Sequence, residues 1–210
     1  MAIRAVVFDY GMVLTGPPCR EAHDGMVRIT GLPEDEFEKL YWADRHAYDE
    51  GKLSGVAFWQ KFKMDSGLPL TDEQLGELNR LDAEMWTVSN PAMLAWHERL
   101  RQGGIRTAIL SNMGDSVLEN IEREFAWIHH FDVLVWSFQL GMAKPAPEIY
   151  QHALEQLGTG AEETLFLDDR QLNIDAAVKL GIVGILFTDI DRLREELVER
   201  GLDRDLPLPE

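Results

Sequence analysis

The 210-residue chain contains one cysteine, few basic residues and no long apolar run. A single cysteine, Cys19, cannot form an internal disulfide, which fits a reducing cytoplasm. Lysine and arginine number 20 against 37 aspartates and glutamates, a formal net charge of −17 at pH 7. A surface this acidic repels nucleic-acid phosphates and anionic membranes. We therefore expect neither nucleic-acid nor membrane partners. Because the N-terminus has no signal-peptide pattern and no stretch could span a bilayer, we also expect a cytoplasmic protein.

The N-terminal segment is apolar until it reaches a carboxylate. Residues 3–8 include three β-branched side chains and are followed by Asp9, Tyr10 and Gly11. A buried parallel strand that delivers one acid to the edge of a sheet has this pattern. An ordinary turn after a strand has it too. The choice between the two depends on whether later strands end in matching polar groups.

Residues 16–89 have the periodicity of helices and no convincing strand pattern. Apolar side chains recur at helical spacing from residue 37 to 48, interrupted by Asp44. Ser54 is suited to cap a further helix, and Thr71 with Gln74 forms a capping-box pattern. We expect a helical subdomain whose aromatic side chains lie mostly in its core. These aromatics are Trp42, Phe58, Trp59 and Phe62.

From residue 90 onward, helix and strand patterns alternate. Strands are predicted at residues 105–110, 131–136, 164–167 and 182–187, in addition to the first one. This alternation implies right-handed crossovers and a doubly wound, mostly parallel sheet. We therefore predict an α/β fold whose core is formed by residues 1–15 and 90–210, with an inserted α-helical cap at residues 16–89. The pair His129-His130 is predicted to lie in a loop, because it has no partner at metal-ligand spacing.

Polar signals follow the predicted strands or lie in the adjoining loops. They are Asp9, the pair Ser111-Asn112, Lys144 and the pair Asp168-Asp169. Each signal alone is weak, because a Ser-Asn pair is usually a turn and a lone lysine is usually a surface charge. A parallel sheet, however, brings the carboxyl ends of its strands to one rim, where ligands bind. We therefore predict a functional site at that rim.

The charges at this rim indicate the ligand. Asp9, Asp168 and Asp169 are three carboxylates beside a single ammonium group, that of Lys144. Alone they would repel one another, and some would be driven to protonate. Mg²⁺ relieves this repulsion, since carboxylates, carbonyls and water are its preferred ligands. The bound metal makes the rim attractive to a phosphate dianion.

The remaining groups at the rim suit a phosphate ester. The Ser111 hydroxyl and the Asn112 backbone N–H can each bind a phosphate oxygen, and Lys144 can balance charge. Asp9 is then free to attack phosphorus as a covalent nucleophile. The residues thus predict a Mg²⁺-dependent reaction at phosphorus.

Four segments together resemble the motifs of the haloacid dehalogenase superfamily. They are Phe-Asp-Tyr-Gly-Met-Val-Leu-Thr (residues 8–15), Leu-Ser-Asn-Met (110–113), Gly-Met-Ala-Lys-Pro-Ala-Pro-Glu-Ile-Tyr (141–150) and Phe-Leu-Asp-Asp-Arg-Gln-Leu-Asn (166–173). They look most like the phosphatase branch with a helical cap after the first strand, which includes the N-terminal phosphatase domain of soluble epoxide hydrolase. The motifs occur in the family order and cover the core, while the cap matches only loosely, chiefly through residues 48–51.

The resemblance implies a role for each of these residues. Asp9 would be the nucleophile and a Mg²⁺ ligand, and the Gly11 backbone carbonyl a further ligand. Asp169 would complete the metal site, with Asp168 bound directly or through water. The resemblance also implies that Ser111 and Asn112 bind phosphate, that Lys144 braces both Asp9 and the phosphate, and that Asn173 supports the metal site from behind.

The sequence departs from the family pattern at one position. Phosphatases of the family usually carry a second Asp two residues after the nucleophile, which protonates the leaving oxygen and later activates water. Here that position is Gly11. General acid–base catalysis contributes about 10²–10⁴-fold, so about 3–5 kcal/mol of the barrier is involved.

Three functions are therefore weighed. The first is a phosphatase of small phosphorylated metabolites that uses an aspartyl-phosphate intermediate. The second is a binding or switch protein that holds phosphate without efficient turnover, favoured by Gly11. The third is a 2-haloacid dehalogenase, disfavoured because those enzymes have no Asp pair at the fourth motif. Candidates for substrate contact in the cap are Arg20, Trp42, Arg45 and His46.

Overall fold

The computed structural model describes residues 2–209, which form one five-stranded parallel sheet and eleven α-helices. The strands are β1 (Ala5–Phe8), β2 (Arg106–Ser111), β3 (Val133–Trp136), β4 (Thr164–Asp168) and β5 (Val183–Leu186). Their order across the sheet is β3-β2-β1-β4-β5, and every neighbouring pair is parallel. The predicted α/β fold with a doubly wound parallel sheet is confirmed. The first strand therefore lies at the centre of the sheet.

Helices cover both faces of this sheet. They are α6 (Pro91–Gln102), α7 (Asp115–Glu124), α8 (Ser137–Leu140), α9 (Pro147–Leu157), α10 (Gln171–Lys179) and α11 (Ile190–Glu199). Alternate side chains of β1 enter two separate apolar clusters: Val6 and Phe8 pack in one, Ala5 and Val7 in the other. A strand buried on both faces reads as a continuous apolar run, which is why its sequence does not alternate. The His129-His130 pair lies in a short 3₁₀ turn at Ala126–His130.

Five helices occupy the chain between β1 and α6. They are α1 (Arg20–Thr30), α2 (Glu34–Ala43), α3 (Arg45–Asp49), α4 (Gly55–Ser66) and α5 (Asp72–Glu84). The predicted capping box is present, since the Gln74 N–H donates to Thr71 Oγ1 over 3.2 Å and the Thr71 N–H donates to Gln74 Oε1 over 2.9 Å. One helix was expected through residues 37–48, but Asp44 has φ −113° and ψ 6° and separates α2 from α3.

These five helices bury an apolar cluster of their own. Phe58, Trp59 and Phe62 lie inside it, as expected. Trp42 was expected there too, but its side chain is on the surface and the residue is 52 % exposed. The reason is its position on α2, one residue after buried Tyr41, so that it points away from the apolar face.

The two segments that join these helices to the sheet run side by side. Thr15 and Ser89 form an antiparallel bridge. The Gly16 N–H donates to the Val88 carbonyl over 2.7 Å, and the Asn90 N–H donates to the Leu14 carbonyl over 2.9 Å. The division of the chain at residues 15 and 90 stays a prediction. Within residues 2–209, no helix combines the length and the apolar character needed to cross a membrane.

Candidate active site

Asp9 stands where β1 leaves the sheet. Its N–H donates to the Leu167 carbonyl over 2.9 Å, which continues the pairing of β1 with β4 for one more residue. The chain then makes a wide turn through Tyr10–Leu14, which is closed by a hydrogen bond from the Thr15 N–H to the Tyr10 carbonyl. Met12 takes φ +60°, a left-handed conformation that is unusual for a residue with a side chain. Gly11 is not strained, with φ −64° and ψ 137°.

Lys144 lies between two of the carboxylates. Its Nζ is 2.9 Å from Asp9 Oδ1 and 2.6 Å from Asp168 Oδ2. The backbone of Lys144 is held by the side chain of Asn112: the Lys144 N–H donates to Asn112 Oδ1, and Asn112 Nδ2 donates to the Lys144 carbonyl, each over 2.8 Å. The Asn112 side chain therefore positions Lys144. Because both of its polar atoms are used in this way, only the backbone N–H of Asn112 is available to a substrate.

Asp168 is fully buried beneath this site, at the end of β4. Asn173 Nδ2 donates to both of its oxygens, over 2.9 and 3.0 Å, and the Arg170 N–H donates to Oδ1 over 2.9 Å. With the ammonium of Lys144 added, both oxygens of Asp168 have protein partners. Asp169 is more exposed than Asp168 and lines the cavity described below.

The electrostatics of these groups follow from their burial. Burial raises the pKa of Asp9 to about 7; Lys144 opposes the rise, while Asp168 and Asp169 add to it. Burial alone would lower the pKa of Lys144, but the carboxylates of Asp9 and Asp168 outweigh it and raise that pKa above its usual value. The pKa of Asp169 is raised by burial and by Asp168. The lysine stays charged, and the carboxylates carry negative charge that one ammonium does not balance.

Asp9, Asp168 and Asp169 together offer a set of metal ligands. One carboxylate oxygen from each lies within 4.8 Å of the others. Oxygen donors with unbalanced negative charge, two of them buried, suit a hard divalent cation such as Mg²⁺. Because the oxygens of Asp168 already accept hydrogen bonds, Asp9 and Asp169 are the better placed direct ligands. We call Asp9, Lys144, Asp168 and Asp169 the strand-end cluster.

A cavity of about 310 Å³ opens over the strand-end cluster. The expected site residues that line it are Asp9, Gly11, Ser111, Asn112, Lys144, Asp169 and Asn173. The structure therefore brings together at one cavity every residue that the motifs singled out, with Asp168 just beneath. The remaining walls are largely apolar and include Met12, Trp42, Trp86, Met113 and Val117.

Two of the four candidate cap residues line this cavity and two do not. Trp42 and Arg45 line it. Arg20 does not: its side chain is 68 % exposed and is paired with Asp24 and Glu34. His46 is likewise turned to solvent, 3.2 Å from Glu50. Both lie on the outer face of a helix, a position that the presence of charge in the sequence does not reveal.

Arg45 belongs to a second buried charge cluster. Its Nε donates to Asp49 Oδ1 over 3.0 Å, and its Nη1 donates to Asp82 Oδ1 over 2.8 Å and to the Tyr41 hydroxyl. The Tyr41 hydroxyl in turn donates to Asp82 Oδ1 over 2.6 Å. Asp82 is fully buried. We call Tyr41, Arg45, Asp49 and Asp82 the helical cluster.

Two members of the helical cluster were not expected from the sequence. Asp49 lines the cavity beside Arg45. Asp82 sits on the buried face of α5 among leucines. For Asp82 the available signal was a carboxylate on an otherwise apolar helical face, since such a group is rarely buried without a partner. Asp49 lies within residues 48–51, the part of the cap that resembles the family.

Comparison with known proteins places this arrangement among related sequences and folds. The profile of haloacid dehalogenase-like hydrolases matches residues 3–181. Phosphatase MT3486 of Mycobacterium tuberculosis is 31 % identical over 202 residues, which cover 94 % of this chain and 93 % of that protein. Bifunctional epoxide hydrolase 2 of Rattus norvegicus is 29 % identical over 94 % of this chain, which spans only 38 % of that longer protein.

Solved structures share the fold at lower sequence identity. A haloacid dehalogenase family enzyme of Bacteroides thetaiotaomicron, crystallised with magnesium and inorganic phosphate, superposes with a TM-score of 0.76 at 22 % identity, over 91 % of this chain and 99 % of the other. The L-2-haloacid dehalogenase RSc1362 superposes with a TM-score of 0.68 at 22 % identity, over 88 % and 86 % of the two chains.

Proposed function

The chain belongs to the haloacid dehalogenase-like hydrolases, and on that premise we propose that it is a Mg²⁺-dependent phosphatase of small phosphorylated metabolites. The observation that carries the proposal is the strand-end cluster: three carboxylates whose oxygens lie within 4.8 Å, one lysine, and Ser111 and Asn112 at the same cavity. The relative MT3486 is described as a phosphatase, and the Bacteroides enzyme was crystallised with magnesium and phosphate. Both descriptions support the same chemistry.

The carboxylate oxygens fit a magnesium ion. Asp9, Asp169 and the Gly11 backbone carbonyl would hold it, with Asp168 directly or through water. The ion supplies positive charge that lets a phosphate dianion enter a site rich in carboxylates. Lys144 alone cannot do this, because its charge is already shared between Asp9 and Asp168.

The chain's own groups account for the transfer. Asp9 Oδ attacks phosphorus, the bond to the leaving oxygen breaks, and an aspartyl-phosphate forms; water then hydrolyses it and restores Asp9. The Ser111 hydroxyl and the Asn112 N–H donate to the phosphoryl oxygens as charge develops on them. Lys144 holds Asp9 in place and favours its ionised form against the effect of burial. Ser111 ends β2 beside β1, so that the sheet itself fixes the distance between the attacking and binding groups.

We further propose that residues 16–89 act as a cap over the core formed by residues 1–15 and 90–210. Trp42 and Arg45 reach the cavity from these helices while Asp9 and Lys144 reach it from the sheet. A cavity closed in this way excludes water from the aspartyl-phosphate until the leaving group departs.

Gly11 favours one alternative, a protein that binds phosphate without efficient turnover. A single set of assays separates the three functions: p-nitrophenyl phosphate hydrolysis with Mg²⁺ and with EDTA, phosphate binding by calorimetry, and halide release from chloroacetate. We expect hydrolysis that EDTA abolishes and excess Mg²⁺ restores. Binding without hydrolysis would establish the alternative, and halide release would establish a dehalogenase. Full activity in EDTA would contradict the metal assignment.

A further inference from the structure

The cavity places one carboxylic acid away from the sheet. Among residues 2–209, the acids that line it are Asp9 and Asp169 of the strand-end cluster and Asp49 of α3. A cavity of about 310 Å³ is at the small end of ligand pockets, so a substrate that fills it must touch both walls. Trp42, Arg45 and Asp49 line the cavity from the helices, so the leaving group of a phosphate bound at Asp9 can reach Asp49. The position that usually supplies the acid is Gly11, which has no side chain.

The backbone of Asp49 is fixed to the loops that carry the phosphate-binding residues. The Ser137 hydroxyl donates to the Asp49 carbonyl, and the same hydroxyl accepts from the Met113 N–H over 2.9 Å. Met113 immediately follows Asn112. Next to this bond, a Cβ on Gly51, where φ is +74°, would overlap the Phe138 carbonyl. The end of α3 thus rests directly on the carboxyl end of the sheet.

The side chain of Asp49 has one oxygen to spare. Oδ1 accepts from Arg45 Nε over 3.0 Å, and Arg45 is itself anchored by Asp82. Oδ2 has no hydrogen-bond partner within the described residues, and the Asp49 side chain is 16 % exposed to solvent. Arg45 therefore orients Asp49 without saturating it.

The other polar groups on the cavity wall are unsuited to giving up a proton. Burial opposes the charge of Arg45, but Asp82, Tyr41 and Asp49 outweigh it and raise its pKa, so the guanidinium stays protonated. Lys144 is shared between two carboxylates. The Tyr10 hydroxyl donates to the Trp86 carbonyl over 2.9 Å, and burial raises its pKa above the usual value. Of the three carboxylic acids that line the cavity, Asp9 is the nucleophile and Asp169 a metal ligand in the proposed function, which leaves Asp49.

We propose that Asp49 is the general acid and base of this site and replaces the carboxylate that Gly11 lacks; the proposal rests on the phosphatase function above. As Asp9 attacks, the Oδ2–H bond of Asp49 breaks and its proton passes to the ester oxygen, which takes the electron pair of the breaking P–O bond and leaves as an alcohol. In the second half, the Asp49 carboxylate takes a proton from the water that attacks phosphorus. The Asp9–phosphorus bond then breaks, and both residues return to their starting states.

The charges around Asp49 suit both halves of this cycle. Burial raises its pKa to about 6; Arg45 opposes the rise, Asp82 adds to it, and His46 opposes it weakly. Asp115, on the adjacent α7, also carries negative charge near Tyr48. A carboxylic acid with a pKa near neutral can both give and accept a proton at the working pH.

The test is a leaving-group series on the full chain with saturating Mg²⁺. The substrates are p-nitrophenyl, phenyl and n-butyl phosphate, and the variants are Asp49→Asn, Asp49→Glu and Asp44→Asn. We expect Asp49→Asn to lose about 10²-fold or more of kcat/KM on butyl phosphate but less than about tenfold on p-nitrophenyl phosphate, whose anion leaves without a proton. Asp49→Glu should restore part of the loss. Asp44→Asn removes a carboxylate from the same helix junction, paired with Lys61 and outside the cavity, and should change none of these rates.

The pH profile supplies a second readout. At saturating Mg²⁺, which favours the ionised form of Asp9, wild-type kcat/KM on butyl phosphate should fall as the pH rises through about 6 and Asp49 loses its proton, and this limb should disappear in Asp49→Asn. A loss in Asp49→Asn of equal size on all three phosphates would overturn the proposal and leave the phosphatase function standing. If that variant does not fold, a wild-type profile without the falling limb overturns it instead. A wild type that hydrolyses none of the phosphates contradicts both.

Discussion

Two buried charge clusters border one cavity, and each is held together by a single cation. In the strand-end cluster, Lys144 bridges Asp9 and Asp168. In the helical cluster, Arg45 bridges Asp49 and Asp82. The first is built on adjacent parallel strands, whose spacing is fixed by backbone hydrogen bonds. The second joins α2, α3 and α5 through side chains alone.

The two clusters differ in how far their negative charge is balanced. A third carboxylate, Asp169, adds to the strand-end cluster and leaves it with negative charge that a metal can neutralise. The helical cluster has two carboxylates, Asp49 and Asp82, with Arg45 between them. Its arginine must therefore do all of the balancing. Only its edge, at Arg45 and Asp49, lines the cavity.

The largest effect should follow from Asp9→Asn. The amide is nearly isosteric but cannot attack phosphorus, so we expect kcat to fall by about 10⁴-fold or more with an unchanged circular dichroism spectrum. The control is Asp175→Asn, which alters an exposed acid on α10 and should keep wild-type activity. A variant of Asp9 that keeps more than a few per cent of kcat would show that another group attacks phosphorus.

Removing the positive charge of Arg45 or of Lys144 should destabilise the fold, and Mg²⁺ should restore stability in only one of the two variants. Arg45→Met and Lys144→Met each leave buried carboxylates unpaired, which typically costs about 3–5 kcal/mol of unfolding free energy. Mg²⁺ should recover part of the loss in Lys144→Met, because it binds the native strand-end cluster and not the unfolded chain. It should recover nothing in Arg45→Met. Denaturant titrations with and without Mg²⁺ measure both, and equal recovery in the two variants would refute the distinction between the clusters.

A smaller, opposite effect is expected from Gly11→Asp. The backbone at Gly11 has an ordinary negative φ, and a Cβ there would lie 3.5 Å from the Trp86 ring, a normal contact. The variant should therefore fold with little loss of stability. We expect the new carboxylate to raise kcat/KM on n-butyl phosphate by about tenfold in an Asp49→Asn background. No gain there, with Mg²⁺ affinity unchanged, would show that an acid cannot work from this side of the cavity.

The smallest effect should come from Trp42→Ala. Trp42 lines the cavity but is half exposed, and its indole N–H is bound to Glu38 over 2.6 Å. We expect KM to change several-fold between aromatic and aliphatic phosphates while kcat on p-nitrophenyl phosphate changes little. Val56→Ala, an exposed change on α4, is the control. A collapse of kcat on every substrate would assign Trp42 a part in the chemistry.

The sequence predicted the strand-end cluster because strand ends are linear features. An apolar run that stops at Asp9 or Asp168 predicts both a strand and the side chain at its end. A parallel sheet brings such strand ends together. The five strands, their parallel arrangement and the cavity over Asp9 follow from this rule. The same rule does not predict that both oxygens of Asp168 already accept hydrogen bonds, because the partners Arg170 and Asn173 lie at the start of α10.

The helical cluster could not be predicted in the same way. Tyr41 and Asp82 are 41 residues apart and meet only because α2 and α5 pack on one core. Helix periodicity states which face is buried but not which helix lies against it. The break at Asp44 was missed for a related reason, since the apolar spacing continues across it while the backbone does not.

The paired segments at Thr15 and Ser89 have a consequence for how this protein could be rebuilt. The chain leaves the sheet and returns to it through neighbouring residues that are hydrogen-bonded to each other. The two ends of the five-helix insert therefore lie side by side. The ends of a domain that lie together allow it to be exchanged without disturbing its host. Grafting a different helical insert between Leu14 and Asn90 would leave β1 and Asp9 in register with the sheet. The same sheet and strand-end cluster could then be combined with different helical inserts, each of which would select different substrates.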